Sequence, residues 1–375
     1  MTGSPDPQRR VARVVLVATG SHPRDAADER ADALRRRGVD VEVVRGSEGE
    51  RAAGRYGTLA RRVAGGVATG LRGRLPRLPD PLDRLRLEAP APGRTVVEAH
   101  PLHPGGLVAL PIARSIGAPL VLVADSSDAA ALAGTGVDVA AARLSRDAAD
   151  LVIAGSRTVA RAVRGTDAGG RNGTGRGPRV EVVLDGVDHH TFARARDRAG
   201  ADGILRSGVI MVSPTDPARL DMALDALGRL SQHPTLTVVG AAATAEPTER
   251  ELGNRVDVRR MPATDDARLA AEVACRSVML AFGLADALAG MAAGAVTVVG
   301  PETELAELVD DGRTGVVAAG SDADGWARAI GRALRIADTP ERAGPVRMAA
   351  DAVAARHDNG RALDRTLDLY DELLA

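Results

Sequence analysis

The chain of 375 residues is long enough for two domains of ordinary size, and its 45% apolar and 26% charged residues exclude a disordered chain. Basic and acidic side chains number 49 and 50, and the net charge of −1 lacks the one-sided field of a nucleic-acid binder. Every basic residue is arginine, which excludes lysine Schiff-base chemistry, and the single cysteine, Cys275, excludes an internal disulfide and points to the reducing cytoplasm.

Short β-branched runs alternate with amphipathic arginine-rich stretches, the pattern of parallel sheets covered by helices on both faces. The first run, Val14 to Ala18, is too short for a signal segment and reads as a strand. A helix is expected from Ala26 to Arg37, stopping at Gly38, and a second strand at Val41 to Val44. Between Arg51 and Glu88 nine arginines stand against Asp80, Asp83 and Glu88, with Leu59, Val63, Val67 and Leu71 recurring every fourth residue. This reads first as a helix packed on the sheet with solvated arginines, and second as a surface for peripheral contact with an anionic membrane.

Further strands are expected at Thr95 to Val97, Leu120 to Ala124, Leu151 to Ala154 and Val180 to Leu184, completing one doubly wound unit. The stretch from Gly165 to Pro178 holds six glycines but precedes a strand, so it is an insertion and not a dinucleotide fingerprint. A second series of strands follows at Val209 to Val212, Leu236 to Val239, Val256 to Val258, Val278 to Leu280, Thr297 to Val299 and Val316 to Val317. Within it, Ser277 to Pro301 carries Asp286 as its only charge, yet its glycines and Val/Thr-rich end predict strand, turn, short helix and strand in place of a membrane helix. The stretch from Ala349 to Leu374 has helical spacing. Two such sheets leave a cleft at the carboxyl ends of their strands, where helix N-termini offer backbone N–H groups to an anion.

Four segments carry a resemblance: RLSRDAADLVIAGS at Arg143 to Ser156, VEVVLDGVDHHTF at Val180 to Phe192, GMAAGAVTVV at Gly290 to Val299 and ELAELVDDGRTGVV at Glu304 to Val317. In order and spacing they resemble glycosyltransferase family 4 of the GT-B fold. The resemblance implies two doubly wound Rossmann-like α/β domains facing a cleft. The acceptor-side domain would take residues 1–190, the nucleotide-sugar-side domain 191–355, and a helix in 356–375 would return toward the first domain. It also implies transfer of a sugar from a nucleotide-diphosphate donor to an acceptor with retention, without metal or cofactor. The nucleotide sugar is the expected partner, the acceptor is unidentified, and a cytoplasmic location, with or without contact with the inner face of the membrane, is expected.

The same resemblance places the site and shows departures in it. Where the family has an arginine and a lysine for the donor diphosphate, this chain has Ser213 or Pro214 and Ala218, with Arg219 one residue beyond. Of two family glutamates, one is lost before Phe282 and the other falls on Ala289, where a restored carboxylate is expected to improve donor binding. The glycine pair near the donor is reduced to Gly20, and a histidine after the fourth strand falls on Asp125. His100 stands where the family often has a histidine facing the cleft, although a histidine beside Pro101 is also an ordinary loop hydrogen-bonding residue. Gly283, Glu302, Thr303, Glu304 and Glu307 are expected on the donor side, the acids reading equally as first-turn complements of a helix dipole. His189 and His190 read as a hinge surface in preference to a metal site. The losses leave a second reading open, a catalytically degenerate homologue that binds or scaffolds a partner.

Overall fold

The computed structural model describes residues 9–18, 24–45, 93–102, 104–134, 137–165, 178–204, 206–212, 217–240, 256–262, 264–301, 303–339 and 342–375. The chain divides into two compact units, the first formed by Met1–Leu184 and Leu363–Ala375, the second by Asp185–Ala362. The basic stretch 51–88 and the Gly-rich insertion lie outside the described residues.

The first unit contains β1 (Arg13–Ala18), α1 (Arg24–Arg36), β2 (Asp40–Arg45), β3 (Thr95–His100), α2 (Gly105–Ile116), β4 (Leu120–Ala124), α3 (Ser126–Ala133), α4 (Val137–Ala148), β5 (Leu151–Ala154), α5 (Arg157–Gly165) and β6 (Arg179–Val182). Its six strands run in the order β2-β1-β3-β4-β5-β6, every pair parallel. Runs such as Leu120–Ala124 are apolar at nearly every position because a parallel strand is covered on both faces. One face packs Val97, Leu102, Ile112, Leu122 and Val163 into a single cluster.

The second unit contains α6 (His189–Ala201), β7 (Val209–Val212), α7 (Pro217–Gly228), β8 (Leu236–Val239), β9 (Val258–Met261), α8 (Asp266–Ala274), β10 (Val278–Ala281), α9 (Leu284–Ala293), β11 (Val296–Val299), α10 (Thr303–Leu308), β12 (Val316–Val317), α11 (Ala323–Ala337) and α12 (Ala343–Arg356). Its sheet has the order β12-β11-β10-β7-β8-β9, again parallel throughout. Apolar clusters line both faces, one built with α7 and α11, the other with α6, α8, α9 and α12. Gly290 lets α9 approach the sheet: a Cβ there would lie 2.6 Å from Thr297 Oγ1 and 2.8 Å from Met279 Cγ.

Three local expectations change. The edge strand β9 is shifted to Val258–Met261 and includes Arg259 and Arg260, which an edge position tolerates because among the described residues one side of it has no strand neighbour. The C-terminal helical run is two helices, α12 and α13 (Asn359–Leu373), broken at His357 and Asp358 where the chain pairs with Val187. Position 190 lies inside α6, which packs on α8 and α9, so the first unit ends earlier, at Leu184.

The end of α13 belongs to the first unit, and a buried polar triad accounts for its place there. Glu98 on β3 is 2% exposed and receives the Arg30 guanidinium, Nε to Oε1 at 3.1 Å and Nη2 to Oε2 at 3.3 Å. The hydroxyl of the fully buried Tyr370 donates to the same carboxylate. Three groups that are costly to bury singly are thereby satisfied together. Asp371, which accepts from the N–H groups of Arg10 and Val11 at 2.9 and 2.7 Å, and Arg37 Nε, which donates to Asp364 at 2.6 Å, complete the docking.

Candidate functional site

In open parallel sheets, ligands bind outside the carboxyl ends of the strands at the point where the strand order reverses. In the first sheet that point lies between β1 and β3, because β1 pairs with β2 on one side and β3 on the other. His100 is the last residue of β3, paired in register with Ala18 at the end of β1, so it is a strand end and not a loop residue. Asp125 follows the neighbouring strand β4 and is the N-cap of α3. The two sequence-predicted residues are brought together: His100 Nε2 lies 3.5 Å from Asp125 Oδ2.

Asp125 is held by its own helix start. Its Oδ1 accepts from Ser127 N at 2.8 Å, Ser127 Oγ at 2.6 Å and Asp128 N at 3.1 Å. Burial raises its pKa, but the hydrogen bonds from His100, Ser127 and Asp128 outweigh burial and keep the carboxyl well below the usual range. Asp128, three residues on, closes the reciprocal capping box and accepts from the N–H groups of Asp125 and Leu102, both at 3.2 Å. Burial, and next the Asp125 charge, push Asp128 up to about 6. The carboxylate at Asp125 fixes the orientation of the His100 imidazole, which leaves a polar ring at the strand end able to hydrogen-bond a hydroxyl. Asp128 was not singled out in sequence, although the Asp-x-x-Asp spacing before an alanine run is a capping-box signature.

In the second sheet the reversal lies between β7 and β10. There α7 begins at Pro217 and α9 at Leu284, and Arg219 bridges the two: its Nη1 donates to the Phe282 carbonyl at 2.6 Å and its guanidinium carbon lies 5.8 Å from the Phe282 ring centroid. Phe282 is itself stacked on Trp326, centroids 4.7 Å apart and planes inclined 20°. These contacts hold a cation at the mouth of the reversal point, with the cation–π share worth roughly 0.5–1 kcal/mol.

Gly283 is the N-cap of α9 and has no side chain to accept from the first-turn N–H groups. By contrast α3, α6, α8 and α11 are all capped by an aspartate side chain. The α9 N-terminus therefore presents backbone donors and the positive end of its dipole beside Arg219, a geometry suited to a diphosphate. Asp286, in the first turn, reaches back toward the N–H groups of Phe282 and Gly283. Burial pushes its carboxyl up to about 7, the backbone donors and Arg219 opposing burial only in part. Sequence had marked Asp286 only as the single charge of an apolar segment.

The remaining expected residues are dispersed. Gly20, Ser213 and Glu302 lie outside the described residues, as does the side chain of Thr303, whose backbone begins α10. Ala289 is 3% exposed and belongs to the apolar cluster beneath α9, so no polar group is offered there and a glutamate at 289 would be driven into that cluster. This removes the expectation that a carboxylate restored at 289 improves donor binding. Glu307 is exposed and lines an open groove of about 1060 Å³ with Asp310, Asp351 and Met348.

Residues 202–335 match the family model of glycosyl transferases group 1, and no curated protein sequence matches the chain. Among solved structures, the chain is similar to sucrose-phosphate synthase from Thermosynechococcus elongatus, at 14% identity over 96% of this chain and 98% of that one, with a TM-score of 0.68. Anabaena HepE in complex with UDP is similar at 16% identity, covering 96% of this chain and 100% of that chain, with a TM-score of 0.63. A glycosyltransferase from Rickettsia africae matches at 12% identity over 97% and 99% of the two chains, with a TM-score of 0.65. The fold is GT-B, two Rossmann-like α/β units with parallel six-stranded sheets. The stretch that matches the group 1 model lies within the second unit. Among the described residues no helix is long and apolar enough to cross a membrane.

Proposed function

We propose that the protein is a glycosyltransferase of the family 4 type, transferring a sugar from a nucleotide-diphosphate sugar to an acceptor hydroxyl with retention. The observation that carries this is the start of α9, whose N-cap Gly283 offers no capping side chain, with Arg219 beside it, at the reversal point of a sheet whose sequence matches group 1 transferases. HepE, a structural neighbour, has been solved with UDP and with UDP-glucose, which supports a nucleotide sugar as the donor. In this proposal the α9 N–H groups and the Arg219 guanidinium stabilise the leaving diphosphate, a donor phosphate oxygen takes the acceptor proton, and the sugar is delivered from the face the diphosphate leaves. His100, steadied by Asp125, binds the acceptor hydroxyl in the first unit. The nucleotide sugar is a co-substrate, and the transfer uses neither metal nor organic cofactor. The lone cysteine supports a cytoplasmic location.

A second reading rests on Ala289 and on the absence of lysine: a homologue that keeps the fold and binds a partner without turnover. The two are separated by incubating the protein with uridine, guanosine and adenosine diphosphate sugars and a panel of hydroxyl acceptors, and following product by proton NMR. An α-linked product from an α-donor supports transfer with retention; a β-linked product contradicts retention; nucleotide-sugar binding without any product selects the second reading.

A further inference from the structure

The chain passes between the units twice, at Leu184–Asp185 and at Ala362–Leu363, and within the second unit the residues beside these passages lie against each other. Val187 N donates to His357 O at 2.9 Å, Asn359 N donates to Val187 O at 3.3 Å, and the His357 imidazole Nδ1 meets the Asp185 carbonyl at 2.8 Å. A Cβ at Gly186 would lie 2.7 Å from Asn359 N, so only glycine permits this approach. The contact places side chains far apart in sequence together. His189 and His190 open α6, and Asp358 precedes α13.

Asp358 Oδ1 accepts from Arg361 N at 2.8 Å, while its Oδ2 lies 2.7 Å from His189 Nδ1. The His189 and His190 rings are 4.0 Å apart at an angle of 36°. One ligand atom from each of His189, His190 and Asp358 lies within 4.8 Å of the other two. We propose that these three side chains form a binding site for a divalent transition-metal ion, Zn(II) being the best fit, which fastens the start of α6 to the start of α13.

Two imidazoles and one carboxylate are the donor set of many three-ligand zinc sites, in which water fills the fourth position, and bonds of about 2.0–2.2 Å from one ion reach all three after small side-chain rotations. His190 is exposed and turns without disturbing the core. His189 and Asp358 are separated by a distance at which they share a proton, and the metal takes that proton's place, the proton passing to solvent. The positive end of α6 opposes a cation, but Asp188, which caps α6 beside His190, and the nearby Asp265 and Asp266 supply three further carboxylates. Of the basic residues nearby, Arg194 donates to Thr191 Oγ1 and Arg361 to the Ala355 carbonyl, and Arg356 lies beside His357. Sequence showed the His-His pair alone; the third ligand comes from 169 residues away.

The test is titration of the chelator-treated full-length protein with zinc against a chromophoric indicator. One tight equivalent is expected, with a thermal midpoint raised by ~5 °C at saturating zinc. His190→Ala, at an exposed position, is expected to weaken that equivalent at least tenfold while leaving the metal-free midpoint unchanged, and Asp358→Asn, which keeps the α13 cap, to weaken it similarly. The control His233→Ala is expected to change nothing. The proposal is overturned if wild type and His190→Ala bind zinc alike, or if His100→Ala is the variant that removes the tight equivalent.

Discussion

At the scale of single residues, Arg219 and Asp286 decide how an anion is received at the start of α9. One Arg219 N–H is used on the Phe282 carbonyl, and the guanidinium has further donors with which to grip a phosphate. Arg219→Ala is expected to weaken nucleoside-diphosphate binding by ~1.5–3 kcal/mol, about tenfold or more, by calorimetry. Asp286 acts in the opposite sense. A carboxyl with a pKa of about 7 is half charged at neutral pH and repels a diphosphate only when ionised, so affinity is expected to rise as pH falls from 8 to 6. Asp286→Asn removes this slope and tightens binding at pH 8.

The same substitution tests stability with a definite sign. Because the folded state raises the pKa of Asp286, the contribution of this carboxyl is complete below pH 4 and is lost as pH rises through about 7. Wild type should therefore lose stability relative to Asp286→Asn between pH 5 and 8, on the order of 2 kcal/mol in urea unfolding. No such widening would mean that the carboxyl is solvated in the folded protein.

At the scale of elements, the strands were legible because a parallel sheet buried on both faces writes itself as unbroken Val, Ile and Leu runs. Leu120–Ala124, Leu151–Ala154, Val209–Val212 and Leu236–Val239 form as the sequence reads. The misplacements have physical causes. Arg259 and Arg260 hid β9, and the break between α12 and α13 is imposed by pairing with Val187, a contact invisible to local periodicity. Of the site, His100, Asp125 and Arg219 were reached through the family resemblance, whereas Asp358 and the Phe282–Trp326 stack depend on contacts across the chain. The elements also explain two expected outcomes. Tyr370→Phe deprives the buried Glu98 of a donor and should destabilise the protein by ~1–3 kcal/mol, read from its denaturant midpoint. Ala289→Glu drives a carboxylate into the apolar cluster under α9 and should cost ~2–4 kcal/mol without raising affinity for a donor.

At the scale of the whole molecule, two parallel sheets each reverse strand order once, and His100, Asp125, Arg219 and Asp286 stand at the two reversal points. The first presents an oriented histidine, the second a helix start without a side-chain cap and an arginine. The most direct measurement is calorimetric titration of the purified wild-type protein with uridine, guanosine and adenosine diphosphates and their sugars, with Arg219→Ala run in parallel. Saturable binding of at least one diphosphate, weakened about tenfold or more in Arg219→Ala, is the predicted result. Absence of binding by every nucleotide at millimolar concentration, or binding indifferent to Arg219→Ala, would contradict a donor site at the start of α9.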